Sequence, residues 1–176
     1  MQPEQKITTS ASFAVLALSR YLLAGDESSW TAMMLGYLLV SVGNLLYCYS
    51  FSSQIRLWSN QLAIVVSVYL VVLCYHCFAD LVMSIPSLVI VLLLALASSC
   101  VTIVGAGSVC QYGHVGDYDS NQASYIRLVG AMCQTAGSSL FVYNLFGERS
   151  DTLQMISRFS FYFAQGLLFF ANERTF

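Results

Sequence analysis

The chain has 176 residues, of which 57% are hydrophobic and 9% charged. A soluble domain carries about 25% charged residues, so composition argues against both a water-soluble globule and a disordered chain. Seven Lys and Arg stand against nine Asp and Glu, a net charge of −2, which leaves none of the basic surface that DNA or RNA binding needs.

The charges are spaced to leave long neutral stretches. No Asp, Glu, Lys or Arg occurs within 37–55, 57–79, 81–116, 128–147 or 159–172. A helix needs roughly 20 mostly apolar residues to cross the hydrocarbon layer. Inside lipid every backbone N–H and C=O must find an internal partner, which leaves helices or closed barrels. These stretches are continuously apolar rather than alternating, so helices are expected. The sequence therefore predicts an all-α, polytopic membrane helix bundle, one domain over 1–176.

Six spans are expected, at 11–24, 30–51, 60–79, 84–107, 125–146 and 153–171. The first is short and interrupted by Arg20, and needs that side chain to snorkel toward water. A signal peptide is its rival, although Glu4 and the single Lys6 fit a positive leading region poorly. Connections are short except 108–124, where Gly113, His114, Gly116, Asp117, Asp119, Ser120 and Asn121 predict a loop. With six spans, Lys6, Arg56, Arg127 and Arg174 lie on one side and Arg149 and Arg158 on the other. That excess predicts both termini in the cytosol.

The six cysteines, Cys48, Cys74, Cys77, Cys100, Cys110 and Cys133, lie mostly in apolar runs and read as small buried hydrophobes rather than a disulfide framework. Cys74-Tyr75-His76-Cys77 has two thiols at i, i+3, but a closed zinc site needs four ligands and no second pair with matching spacing exists. No metal is expected there, and His76 with Asp80 reads as an interfacial pair. No nucleotide or phosphate-loop motif implies a cofactor, and no G-x-S-x-G elbow supports a serine nucleophile.

Polar side chains inside spans usually face the bundle interior or a cavity. In the fifth span Arg127, Gly130, Gln134, Gly137, Ser138 and Asn144 fall within an arc of roughly 120°, taking 100° per residue. In the sixth, Arg158, Tyr162, Gln165 and Asn172 fall within roughly 80°. In the second, Gly36, Gly43, Tyr47 and Ser50 share a face, with Asn44 on its flank. These stripes are explained by close helix packing with interhelical hydrogen bonds, or by a cleft that receives a polar headgroup.

Three segments resemble the lysoplasmalogenase-like (YhhN) membrane family. Ser160-Phe161-Tyr162-Phe163-Ala164-Gln165-Gly166-Leu167-Leu168 is similar to the T-Y-Y-x-A-Q-x-L pattern of its last helix. Gly137-Ser138-Ser139-Leu140-Phe141-Val142-Tyr143-Asn144-Leu145-Phe146 resembles its S-D-x-x-x-A-x-N-(K/R)-F segment. Gly36 with Asn44-Leu45-Leu46-Tyr47 and Phe51 resembles its G-x-L-x-F-x-x-x-H-x-x-Y-x-x-x-F helix. The resemblance runs over roughly residues 19–172. It implies a polytopic protein of the endoplasmic reticulum or another internal membrane, related to enzymes that hydrolyse the vinyl-ether bond of lysoplasmalogen to a fatty aldehyde and glycerophospho-ethanolamine or -choline. In that chemistry one carboxyl group protonates the enol ether and another activates water.

The chain departs from the family where the chemistry sits. The family's second aspartate falls on Ser138 and the first on Leu22. Asp26, four residues on from Leu22, is the fallback carboxylate, and the family's helix histidine is Asn44 here. The family usually has about eight spans, so the resemblance starts about two spans in. The expectation is a divergent member lacking the usual catalytic aspartates, with a lysophospholipid-like partner and a cleft lined by Asn44, Tyr47, Gln134, Ser138, Asn144, Tyr162 and Gln165. The alternatives are an active hydrolase using another carboxylate, and an unrelated structural or regulatory membrane protein.

Overall fold

The structure is a computed structural model that describes residues 3–24, 30–79, 82–113, 118–147 and 150–174. Among them are six α-helices: α1 (Pro3–Ala24), α2 (Trp30–Phe51), α3 (Asn60–Phe78), α4 (Pro86–Tyr112), α5 (Tyr118–Phe146) and α6 (Asp151–Arg174). A short 3-10 turn, Ser52–Gln54, follows α2. No strand occurs among the described residues, as the unbroken apolar runs require.

Local chemistry sets several helix ends. Ser59 caps α3, its side chain accepting from the Leu62 N–H. Pro86 opens α4, where its missing N–H costs nothing. Gly113 closes α4 in extended conformation, its N–H donating to the Val109 carbonyl at 2.8 Å.

Two boundaries differ from expectation. The 108–124 segment is not a long loop: α4 continues to Tyr112 and α5 begins at Tyr118, so Asp119, Ser120 and Asn121 are helical. Helix hydrogen bonds are internal to the backbone and do not end where the side chains turn polar. Ser108 bonds back to the Val104 carbonyl at 2.6 Å and accepts from the Ser59 N–H at 3.0 Å, so a turn-forming residue is absorbed into a helix–helix contact. His114, Gly116 and Asp117 lie outside the described residues. The first helix is also longer than 11–24, starting at Pro3. Its early hydroxyls are accommodated: Thr9 and Ser12 are buried, and the Ser12 hydroxyl donates to the Thr9 carbonyl at 2.7 Å.

The most enclosed element is α4, which packs on α2, α3 and α5, while α1 packs on α2 and α6 on α5. Two apolar clusters fill the bundle. Tyr37, Val40, Phe78, Leu88, Leu92 and Val142 pack toward one end. Tyr47, Phe51, Cys100, Ile103, Ala131 and Leu168 pack toward the other. Cys77 joins the first cluster and Cys48 and Cys100 the second. His76 is exposed, and Asp80, its expected partner, lies outside the described residues.

The outside is as apolar as the inside. On α3, Ile64, Val65, Val68, Val71, Val72 and Tyr75 are all exposed, a surface no water-soluble monomer tolerates. Three segments are long and apolar enough to cross a membrane: Thr31–Gln54, Asn60–Phe78 and Pro86–Tyr112. The protein is a membrane protein.

Close backbone approach joins α5 to α6. A Cβ on Gly137 would lie 3.2 Å from the Ser157 carbonyl oxygen and 3.3 Å from the Phe161 nitrogen. The Ser157 hydroxyl donates to the Gly137 carbonyl at 2.8 Å. Gly137→Val is expected to force the helices apart at a cost of about 1–3 kcal/mol. Gly166→Ala, where a Cβ meets nothing within 4 Å, is expected to be neutral or slightly stabilising. Thermal melts of both variants in detergent check the contrast.

Candidate functional site

A polar layer separates the two apolar clusters. Asn44 of α2 is 1% exposed. Its amide nitrogen donates to the hydroxyls of Ser99 (2.8 Å) and Ser98 (3.2 Å) on α4. Its side-chain oxygen accepts from Gln134 Nε2 on α5. Ser98 and Ser99 in turn donate to the Ala95 carbonyl at 2.8 and 3.0 Å. Thr102, one turn further along α4, donates to the Asn44 carbonyl at 3.4 Å. Three helices are thus tied at one level by side-chain bonds that lipid could not replace.

A second polar cluster lies toward the end shared by the α2 C-terminus, the α5 N-terminus and the α6 C-terminus. Arg127 is 1% exposed. It donates to Gln54 Oε1 at 2.8 Å and Asn172 Oδ1 at 3.4 Å, and its guanidinium carbon sits 4.9 Å from the centroid of the Phe51 ring. The Tyr47 hydroxyl faces Arg127 and Asn172, while its ring meets Phe51 and Phe13 edge-on at 5.4 and 6.1 Å. Arg127 therefore joins the ends of three helices through a planar fork that a lysine cannot reproduce.

Between α1 and α6 the bundle opens sideways in a groove of about 560 Å³. Leu16, Ala17 and Phe161 form its body, with Phe13 at one end and Tyr21 and Tyr162 at its rim. Gln165 is the one amide in the lining. Its Nε2 and Oε1 are both enclosed, and neither has a hydrogen-bond partner among the described residues. Leaving such groups unmet costs about 1–3 kcal/mol. The size falls within the roughly 300–1,000 Å³ of ordinary ligand sites.

The residues expected to line one cleft are divided among five places. Asn44 and Gln134 meet in the polar layer, and Tyr47 lies below them against Arg127. Ser138 borders a separate cavity of about 10 Å³, walled by Tyr37, Leu92, Leu96, Phe141 and Phe161, with room for about one water. Asn144 sits near the far end of α5, its side-chain oxygen accepting the Ser150 N–H at 2.7 Å ahead of α6. Tyr162, 66% exposed, and Gln165 belong to the groove. The second and fifth stripes converge because both face α4. The sixth splits, Asn172 turning to Arg127 and Tyr162 outward, because the buried line of α6 runs through Ser157, Phe161, Ala164, Leu168 and Ala171.

Asp26 and the side chain of Leu22 lie outside the description. Asp151, the one carboxylate whose side chain is described, is exposed in the first turn of α6. Among the described residues no group of three or more His, Cys, Asp and Glu is placed to hold a metal. Sequence reasoning missed Ser98, Ser99 and Thr102; their i, i+1, i+4 spacing within an apolar helix was the available signal. It also missed the α1 wall of the groove, which carries no polar mark. The chain matched no family model, no curated protein and no solved structure.

Asn44→Leu is expected to destabilise the bundle by about 1–3 kcal/mol, since it strands Gln134 in the interior. Adding Gln134→Leu is expected to recover part of that loss, giving a double-mutant cycle with non-additivity of at least about 0.5 kcal/mol. Detergent melts of the two single variants and the double variant measure it.

Proposed function

We propose that this is a divergent, non-hydrolytic relative of the lysoplasmalogenase-like family, a six-span protein that holds a single-chain lysophospholipid in the groove between α1 and α6. The observation that carries the reading is the groove itself: an apolar channel of about 560 Å³ with an unmatched amide, opening sideways where lipid lies. A single acyl or alkyl chain suits its aromatic walls, and a headgroup suits the tyrosines at its rim.

Six crossings are supported by length and facing. At 1.5 Å per residue the 29 residues of α5 and 24 of α6 span about 43 and 36 Å, more than the hydrocarbon thickness. The polar side chains Arg127 and Gln134 that lower the hydropathy of α5 are buried, while Val129, Met132 and Tyr143 are exposed. The exposed face of α6 includes Phe159, Phe163, Phe169 and Phe170. The Arg and Lys distribution then puts both termini in the cytosol, and the resemblance favours the endoplasmic reticulum or another internal membrane.

Holding rather than cleaving follows from the positions that resemble the family's aspartates. They are Ser138 and Leu22, and neither supplies a proton near neutral pH as a carboxyl group does. Ser138 moreover borders a cavity far too small for a lipid.

Purified protein supplied with lysoplasmalogen is expected to release no aldehyde, while a fluorescent single-chain lysophospholipid binds saturably. Ala17→Trp, which fills the groove, is expected to weaken that binding at least tenfold, about 1.4 kcal/mol, with an unchanged melt. Aldehyde release abolished by Asp26→Asn would instead establish a hydrolase.

A further inference from the structure

Resting on the reading that the groove holds a single-chain lipid, we propose that Gln165 selects the lipid's linkage, favouring a 1-acyl-2-hydroxy glycerophospholipid over its ether and 2-blocked counterparts. Three residues of α6 form a ladder at i, i+4 and i+7: Arg158, Tyr162 and Gln165. At 1.5 Å per residue Gln165 lies about 10 Å along the axis from Arg158 and about 4.5 Å from Tyr162. Arg158 and Tyr162 are exposed, whereas the Gln165 amide is enclosed. Beyond the amide the walls turn apolar at Leu16 and Phe13.

The ladder runs from a cation through a phenol to an amide and then to hydrocarbon. A phospholipid presents the same order: phosphate, glycerol, linkage, chain. The amide decides the linkage, because it offers one donor and one acceptor side by side and both are unmet. A monoacyl glycerolipid supplies the complement, its ester carbonyl accepting from Nε2 and its free 2-hydroxyl donating to Oε1. An alkyl ether has no carbonyl. A 2-blocked lipid has no hydroxyl donor. An ionised fatty acid offers acceptors alone. A secondary amide is trans, so its N–H and C=O point apart and cannot both meet one carboxamide. The last torsion of a glutamine side chain is soft, so the amide turns into the groove at little cost.

The test uses the full chain in nanodiscs, with displacement of a fluorescent single-chain lipid by three competitors of equal chain length. These are 1-acyl-lysophosphatidylcholine, its 1-O-alkyl ether and its 2-O-methyl analogue. The wild-type protein is expected to bind the acyl form about tenfold more tightly than either analogue, the effect of about one to two net hydrogen bonds. Gln165→Leu is expected to bind all three within about twofold of one another. Gly166→Ala, beside it on the helix, is expected to keep the wild-type preference. Equal affinities in the wild type, or a preference that survives Gln165→Leu, overturn the assignment of Gln165 while leaving the groove as a lipid site. Failure of every single-chain lipid to displace the probe overturns both. Should Gln165→Leu fail to fold, the wild-type ranking of the three competitors decides alone.

Discussion

The hydrogen bonds around Asn44 are the constraint on which the rest of the bundle depends. In lipid the hydrophobic effect does not distinguish a helix's neighbours from its solvent, so apolar packing alone leaves rotation and register weakly defined. Asn44 reaches Ser98 and Ser99 on α4 and receives Gln134 from α5. A rotation of any of these helices by one residue breaks several of those bonds at once, with no water to replace them. The layer therefore fixes which faces of α2, α4 and α5 turn inward.

With those three helices set, the remaining placement follows. Gly43 admits Leu16, and α1 lies against α2; a Cβ there would meet Leu16 Cγ at 2.7 Å. Gly137 admits the α6 backbone, and α6 lies against α5. Arg127 then closes one end by bonding to Gln54 and Asn172. The outer helices are each fastened to a different inner partner, so the contact between them is slight, carried by Phe13 against Phe169 at 6.2 Å. The groove is the space left between two helices that each chose another neighbour.

Gln165 stands out against this background. Asn44 has both amide atoms engaged by interhelical bonds and Gln134 its nitrogen, while Gln165, at the edge of the gap, keeps both amide atoms unmet. Asn172 is an intermediate case, its Oδ1 held by Arg127 and its Nδ2 unmet. Gln165 alone among these amides has both polar atoms unmet, which is why the proposed lipid contact is centred on it.

The sequence by itself determined that the chain is helical and lives in lipid, because 9% charge and long neutral runs admit no other solvent. It placed a span on each of the six described helices and marked Asn44, Gln134 and Arg127 as too polar to face acyl chains, though not Ser98, Ser99 and Thr102. The 108–124 segment misled because a serine marks a turn only when its hydroxyl lacks a better partner, and Ser108 and Ser124 bond back to the Val104 and Asn121 carbonyls of their own helices, Ser108 also accepting from the Ser59 N–H. Tertiary structure alone decided how the polar stripes divide. Asn144 shares an arc with Gln134, yet lies near the helix end and bonds to the start of α6. Tyr162 shares an arc with Asn172, yet faces outward because Gly137 sets the rotation of α6. Periodicity reports which residues share a face, but a face acquires a meaning only from the neighbour it meets, and that is fixed by bonds between residues as far apart as Asn44 and Gln134.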